Sequence, residues 1–126
     1  MAILVTEGKV WLVDKVQDTA PLTNALGRFI GWGTGVVAEA VTNTFANTTE
    51  ASEARTTGTL SKPTTTTDRV VGTIVATGTK SITEVMRTNT ATKGDAGQRL
   101  IMRALFTAVP VENLDSIAFT LDIVNT

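Results

Sequence analysis

Twelve carboxylates and eleven lysine or arginine side chains carry all the side-chain charge of this 126-residue chain, which has no histidine and no cysteine. That composition removes the usual acyl-transfer triads and thiolate nucleophiles. It also removes the ligands that zinc and most iron sites require. The acidic residues, among them Glu7, Glu39, Glu50, Glu53, Glu84 and Asp122, are scattered singly, and no D-x-D-x-D-G calcium loop occurs. Two carboxylates distant in sequence can form a glycosidase pair, but such sites sit in aromatic-lined clefts. Here there are two Trp, four Phe and no Tyr. The residues read as a protein that is not an enzyme and takes no cofactor or metal.

Four local patterns remain. In Ser81-Ile82-Thr83-Glu84 the spacing fits a capping box that would start a helix. A strand is the preferred reading, because Ile82 and Val85 are β-branched. Arg87, Arg99 and Arg103 form a loose basic set, read as solvated charges. Arg28-Phe29-Ile30-Gly31-Trp32-Gly33-Thr34-Gly35 is the most distinctive octapeptide. Glycine at alternate positions clears one face of a strand so that backbone or a large ring can approach it, and sends Trp32 to the other. It lacks the following helix and the Lys-Ser/Thr pair of a nucleotide loop. Asn47-Thr48-Thr49 matches a glycosylation triplet and is read as chance, since the start MAILVTEGK has the wrong flanks for a secretory signal.

The elements that must position these residues are strands. Threonine occupies 25 of the 126 positions, while charged residues make up 18%. Thr and Val in such excess favour sheets over a helical bundle. Net charge is -1, which gives no electrostatic case for nucleic acid or an anionic membrane. No apolar run approaches the roughly 18 residues of a membrane span. Residues 68–89 hold two β-branched runs, 69–77 and 80–88, around Thr77-Gly78-Thr79, and read as a central antiparallel hairpin with glycine at positive φ. Residues 2–6 and 9–16 read as strands separated by Glu7-Gly8, the second with Val10 and Leu12 on one face and Trp11 and Val13 on the other. Residues 17–27 form a connection anchored by Leu22 and Leu26. Residues 36–41 are a short strand or a helical turn, 42–52 an exposed loop, and 53–61 a strand before a turn at Lys62-Pro63. Residues 98–106 put Leu100, Met102, Ala104 and Phe106 on one face. The final strand, 115–125, alternates Ile117, Phe119, Leu121 and Ile123 with polar or small residues. The expected fold is all-β: a β-sandwich or partly closed antiparallel barrel with Thr-rich surface loops, one β domain over 1–126, with 1–8 as an N-terminal arm or edge strand.

Phe29-Ile30-Gly31-Trp32-Gly33-Thr34-Gly35 is followed by Thr49-Glu50-Ala51-Ser52-Glu53-Ala54-Arg55 with Gly58-Thr59. The Thr run, Val71-Gly72-Thr73-Ile74, Lys80-Ser81-Ile82-Thr83-Glu84, a strand ending at Phe106 and Leu114-Asp115-Ser116-Ile117 come after them. This order of segments resembles a family of small structural proteins of tailed double-stranded DNA phages, the capsid decoration or cement proteins. Members often continue the Ile-Thr-Glu element with Ala-Gly-Leu-Phe, where this chain has Val85-Met86-Arg87-Thr88.

The resemblance implies a virion protein, assembled in the host cytoplasm, that binds the outer surface of the major capsid protein shell as a trimer or dimer. A neck or tail component of the virion is the alternative, and a carbohydrate-binding β-sandwich using Trp11 and Trp32 is a reading of a different class. Ile3, Leu4 and Val5, as a strand that could be donated to a partner sheet, and Trp11 are the candidate partner-contact residues. On that reading, removing residues 1–6 weakens shell binding and leaves the domain folded.

Overall fold

Alternation of apolar and polar residues decides which strands form, and the partner that can cover each apolar face decides how they pair. The structure, a computed structural model, describes residues 2–17 and 27–124, with backbone alone for 13–17. In chain order the elements are β1 (Ile3–Leu4), α1 (Thr6–Gln17), β2 (Phe29–Gly33), a single 3-10 turn (Phe45–Asn47), β3 (Thr56–Thr57), β4 (Thr59–Thr64), β5 (Thr67–Val75), β6 (Lys80–Thr88), β7 (Leu100–Val111) and β8 (Ser116–Val124). They build two antiparallel sheets, β1-β7-β6-β2-β3 and β4-β5-β8. The fold is an all-β sandwich and not a closed barrel. The anchors expected at Leu22 and Leu26 lie outside the described residues.

Between the sheets, Ile30, Trp32, Val70, Ile74, Ile82, Val85, Phe119 and Leu121 form one buried cluster. Phe119 sits at its centre, edge-on to Trp32 with ring centroids 6.4 Å apart and tilted against Phe106 at 6.3 Å. Aromatic pairs in such offset geometries add to their area burial. The final strand is therefore an interior-facing element, as its period-2 pattern requires.

The expected hairpin does not form. β5 and β6 lie in different sheets: β5 pairs with β8 through nine successive residues, from Thr67↔Val124 to Val75↔Ser116, while β6 pairs with β2 and β7. Thr77-Gly78-Thr79 is a corner between layers. β5 buries Val70 and Ile74, and β6 buries Ile82 and Val85, so both runs need cover for their apolar faces. Facing layers cover both faces at once, which a flat two-stranded ribbon cannot do. Positive φ occurs, among the described residues, at Gly94 and Leu114, and Gly78 is not one of them.

The run 9–16, expected to be a strand, is helical as part of α1. Gly8, Trp11 and Leu12 recur at helical spacing, and Trp11 packs on Ile101 and Met102 with Leu12 beside them. Gly8 is where the helix meets β7: a Cβ there would lie 2.7 Å from the Ile101 Cα, so any larger residue would push the helix off the sheet. Glu7 in the first turn accepts the Leu100 N–H at 3.0 Å, which ties the helix start to the same strand.

β7 runs beyond the expected 98–106 run, through Val109 and Pro110 to Val111. Its register shifts between Arg87 and Thr88 of β6. Leu100 consequently leaves the face of Met102, Ala104 and Phe106 and packs with Val5 and Met86 on the outside of the five-stranded sheet. Truncating Phe119 to alanine should cost about 3–5 kcal/mol, because the cavity opens at the centre of the inter-sheet core. Urea unfolding with an unchanged m-value checks it.

Candidate functional site

On β2, Ile30 and Trp32 face the core, so Gly31 and Gly33 turn a bare backbone outward. The segment 34–55 folds back over that outer face of the five-stranded sheet, and buried carboxylates hold it there. Glu84, on β6, is 0% exposed. Its Oε1 accepts the backbone N–H groups of Gly35 at 3.1 Å and Thr49 at 2.7 Å, and its Oε2 accepts Arg103 Nε at 2.9 Å. Arg103 Nη2 lies 2.8 Å from the same oxygen, off the hydrogen-bonding direction, and Nη1 donates to Asn43 Oδ1 at 3.0 Å. Neighbouring Thr83 donates its hydroxyl to the Gly35 carbonyl at 2.5 Å.

The alternating glycines are shaped to this carboxylate. A Cβ on Gly33 or Gly35 would come within 2.6 or 2.5 Å of Glu84 Oε1. Close approach was legible in the sequence; a carboxylate as the visitor was not. Ser81-Ile82-Thr83-Glu84 is strand, as preferred, and its Thr-Glu pair is an anchor for the covering segment.

Two further acids pin the same segment. Glu50 takes a bidentate contact from Arg55, Nε to Oε2 at 2.8 Å and Nη2 to Oε1 at 2.9 Å. Arg55 also donates to the Thr90 carbonyl and Gln98, and lies 4.8 Å from the Phe45 ring centroid. Glu53, expected within a strand, precedes β3 as a bend residue. Its carboxylate accepts from Trp32 Nε1 at 3.0 Å, from the Thr77 N–H at 2.9 Å and from Lys80 Nζ. Burial pushes the Glu53 carboxyl up, but the Lys80 ammonium, the Thr77 amide and the Trp32 indole together outweigh it and hold it at about 2.

The basic set does not behave as solvated charge. Arg103 and Arg87 are 0% and 1% exposed, whereas Arg99 is exposed. Arg87 donates to the Gly27 carbonyl and to Asp68 of β5, so it bridges the two layers. The spacing of the three arginines carried no sign of this, because burial depends on the sheet face each one occupies.

Between its anchors, residues 36–41 are neither strand nor helix. They present apolar side chains to solvent: Val36 is 77% exposed, with Val37 and Val41 about half exposed. The segment is fixed at Gly35 through Glu84 and Thr83, at Val41 by the Thr6 N–H, and at Asn43, which accepts from Ala40 and Arg103. Its one charge, Glu39, turns back to accept the Leu105 N–H at 2.7 Å.

The sequence-selected contact residues differ in access. Ile3 and Leu4 are half-buried and pair with Arg103 and Met102 of β7 as the sheet's edge. Val5 is 0% exposed and bonded to the Ile101 carbonyl, and Trp11 is 7% exposed under α1. Removal of residues 1–6 therefore takes a core side chain with it, against the expectation that the domain would stay intact. Trp32 is also buried, so neither tryptophan offers a sugar-stacking surface. Comparison with family models, with curated proteins and with solved structures gave no match.

Replacing Glu84 with alanine leaves Arg103 charged and buried without its partner. A loss of about 3–5 kcal/mol is expected in chemical denaturation. Because Glu53 titrates at about 2 when folded and near 4.5 when unfolded, its contribution is complete above pH 4.5 and disappears as pH falls toward 2. The melting temperature of the native chain should drop through that window, and that of Glu53→Gln should depend less on pH there.

Proposed function

We propose that this chain is a virion structural protein of the capsid decoration or cement type, which binds the outer surface of the major capsid protein shell and stabilises it. The observation that carries the reading is the exposed valine segment, 36–41, bolted to a rigid sheet. An apolar loop held in one conformation gains little within its own chain from facing water. Docked on a protein surface it buries apolar area at about 25 cal/mol per Å² with little ordering left to oppose binding. Exposed apolar patches on fixed scaffolds are typical of interaction sites.

The buried charges support the same reading. Glu50, Glu53 and Glu84 are each engaged by backbone amides or by a cation, so their bonding capacity goes into holding the covering segment. The resemblance in segment order supplies the shell as the partner. A protein of this kind works by bridging neighbouring shell subunits, and its strength lies in burial and shape.

Val36→Ser with Val37→Ser tests the proposal. Both side chains point to water, so the melting temperature should stay within about 2 °C of the parent, as for ordinary surface substitutions. Binding to purified phage shells that lack a decoration protein should fall at least about tenfold, corresponding to roughly 1.4 kcal/mol. Unchanged binding, or no binding by the parent chain, would sink the reading.

A further inference from the structure

Among the described residues, four strands stand at the ends of the two sheets, and three of these edges are guarded; the length of β7 beyond β1 is interrupted by Pro110 and by the bond from the Leu105 N–H to Glu39. β1 and β3 are two residues each, too short to recruit another strand. β4 carries Lys62 and Pro63 and has a register shift between Ser61 and Thr64. Short length, lysine, proline and bulges are the devices by which edges resist pairing. β8 has none of them. It is nine residues long, keeps unbroken register with β5, and contains no lysine, arginine or proline.

The bonding pattern shows what this edge presents. The Ala76 N–H donates to the Asp115 carbonyl at 2.7 Å, in the same register as the β5–β8 ladder. Hydrogen-bonded pairs alternate along antiparallel strands, so Ile117, Phe119 and Leu121 bond to β5. Ser116, Ala118, Thr120 and Asp122 then turn their N–H and C=O groups to the open side. Their side chains lie on the outer face, small and uncharged except for Asp122. That charge is already balanced by Arg69 of β5, at 2.8 and 2.9 Å.

We infer that β8 is a self-pairing edge: two copies of this chain join β8 to β8 antiparallel about a two-fold axis, making one continuous six-stranded sheet. Charge decides for a second copy over a foreign strand. With the axis near Phe119 or Thr120, even-numbered residues meet even-numbered residues, and each Asp122 faces an uncharged Ser116 or Ala118 of the other copy. No like charges oppose each other, so the edge is complementary to itself. The pairing uses a different strand from the valine segment, and it stands whether or not the chain binds shells.

Sedimentation equilibrium of the full chain over a range of concentrations, with residue-resolved hydrogen exchange, tests this. Concentration-dependent dimers are expected, with slowed exchange at the Ala118 and Thr120 amides as the dimer fills. Ala118→Lys with Thr120→Lys puts like charges across the axis, on side chains that face solvent. It should weaken the dimer at least about tenfold while the Phe119 and Leu121 amides stay slow, showing that the β5–β8 ladder is intact. A monomer at every concentration, a dimer indifferent to the two lysines, or protection of Ala118 and Thr120 that needs added shells would each overturn the inference. The last outcome would assign the edge to a foreign strand.

Discussion

A single buried carboxylate organises the outer half of this molecule. Glu84 is sealed from water, and an ionised group in that position is tolerated only when its oxygens are fully engaged. Its partners come from three separate parts of the chain: Gly35, Thr49 and Arg103. The covering segment cannot lift from the sheet without stranding the charge of Glu84 and, behind it, that of Arg103. The same requirement selects glycine at 33 and 35, since the oxygen occupies the space a Cβ would take. This glycine stretch is one of the most tightly determined places in the fold.

Glu53 plays the matching part at the other side of the covering segment. It takes bonds from Trp32 on one sheet and from Thr77 and Lys80 at the corner between layers. Arg87, reaching from β6 to Asp68 of β5, ties the layers a second time. The sandwich is thus held by an apolar middle and by ionic contacts at its margins. Such contacts add little net stability over well-packed apolar groups, but they are costly to half-break, so they favour one arrangement of the layers.

This arrangement separates rigidity from display. Glu50, Glu53, Arg55, Glu84, Arg87 and Arg103 are spent on internal anchoring, while the valine segment shows apolar side chains to water and, on the outer face of β5 and β8, the charges of Arg69 and Asp122 balance each other. A protein that acts through such surfaces recognises partners by shape and backbone bonding, with little electrostatic steering.

The all-β class, the final strand with its buried Phe119, the extended conformation of Ser81-Ile82-Thr83-Glu84 and the close approach at the glycines were legible in the chain itself, because period-2 alternation and the missing Cβ are local properties. The two β-branched runs around Gly78 fit a hairpin and a corner equally well, and only the apolar faces of β7 and β8, distant in sequence, settled the matter. Residues 9–16 fit both a strand and a helix, and the backbone of Ile101 beneath Gly8 selected the helix. The fates of Arg87, Arg103, Glu53 and Glu84 were likewise invisible, since a charged side chain is buried or solvated according to what folds over it. Local chemistry determined the kind of element; long-range partners determined the layers, the charges inside them and the surfaces left open.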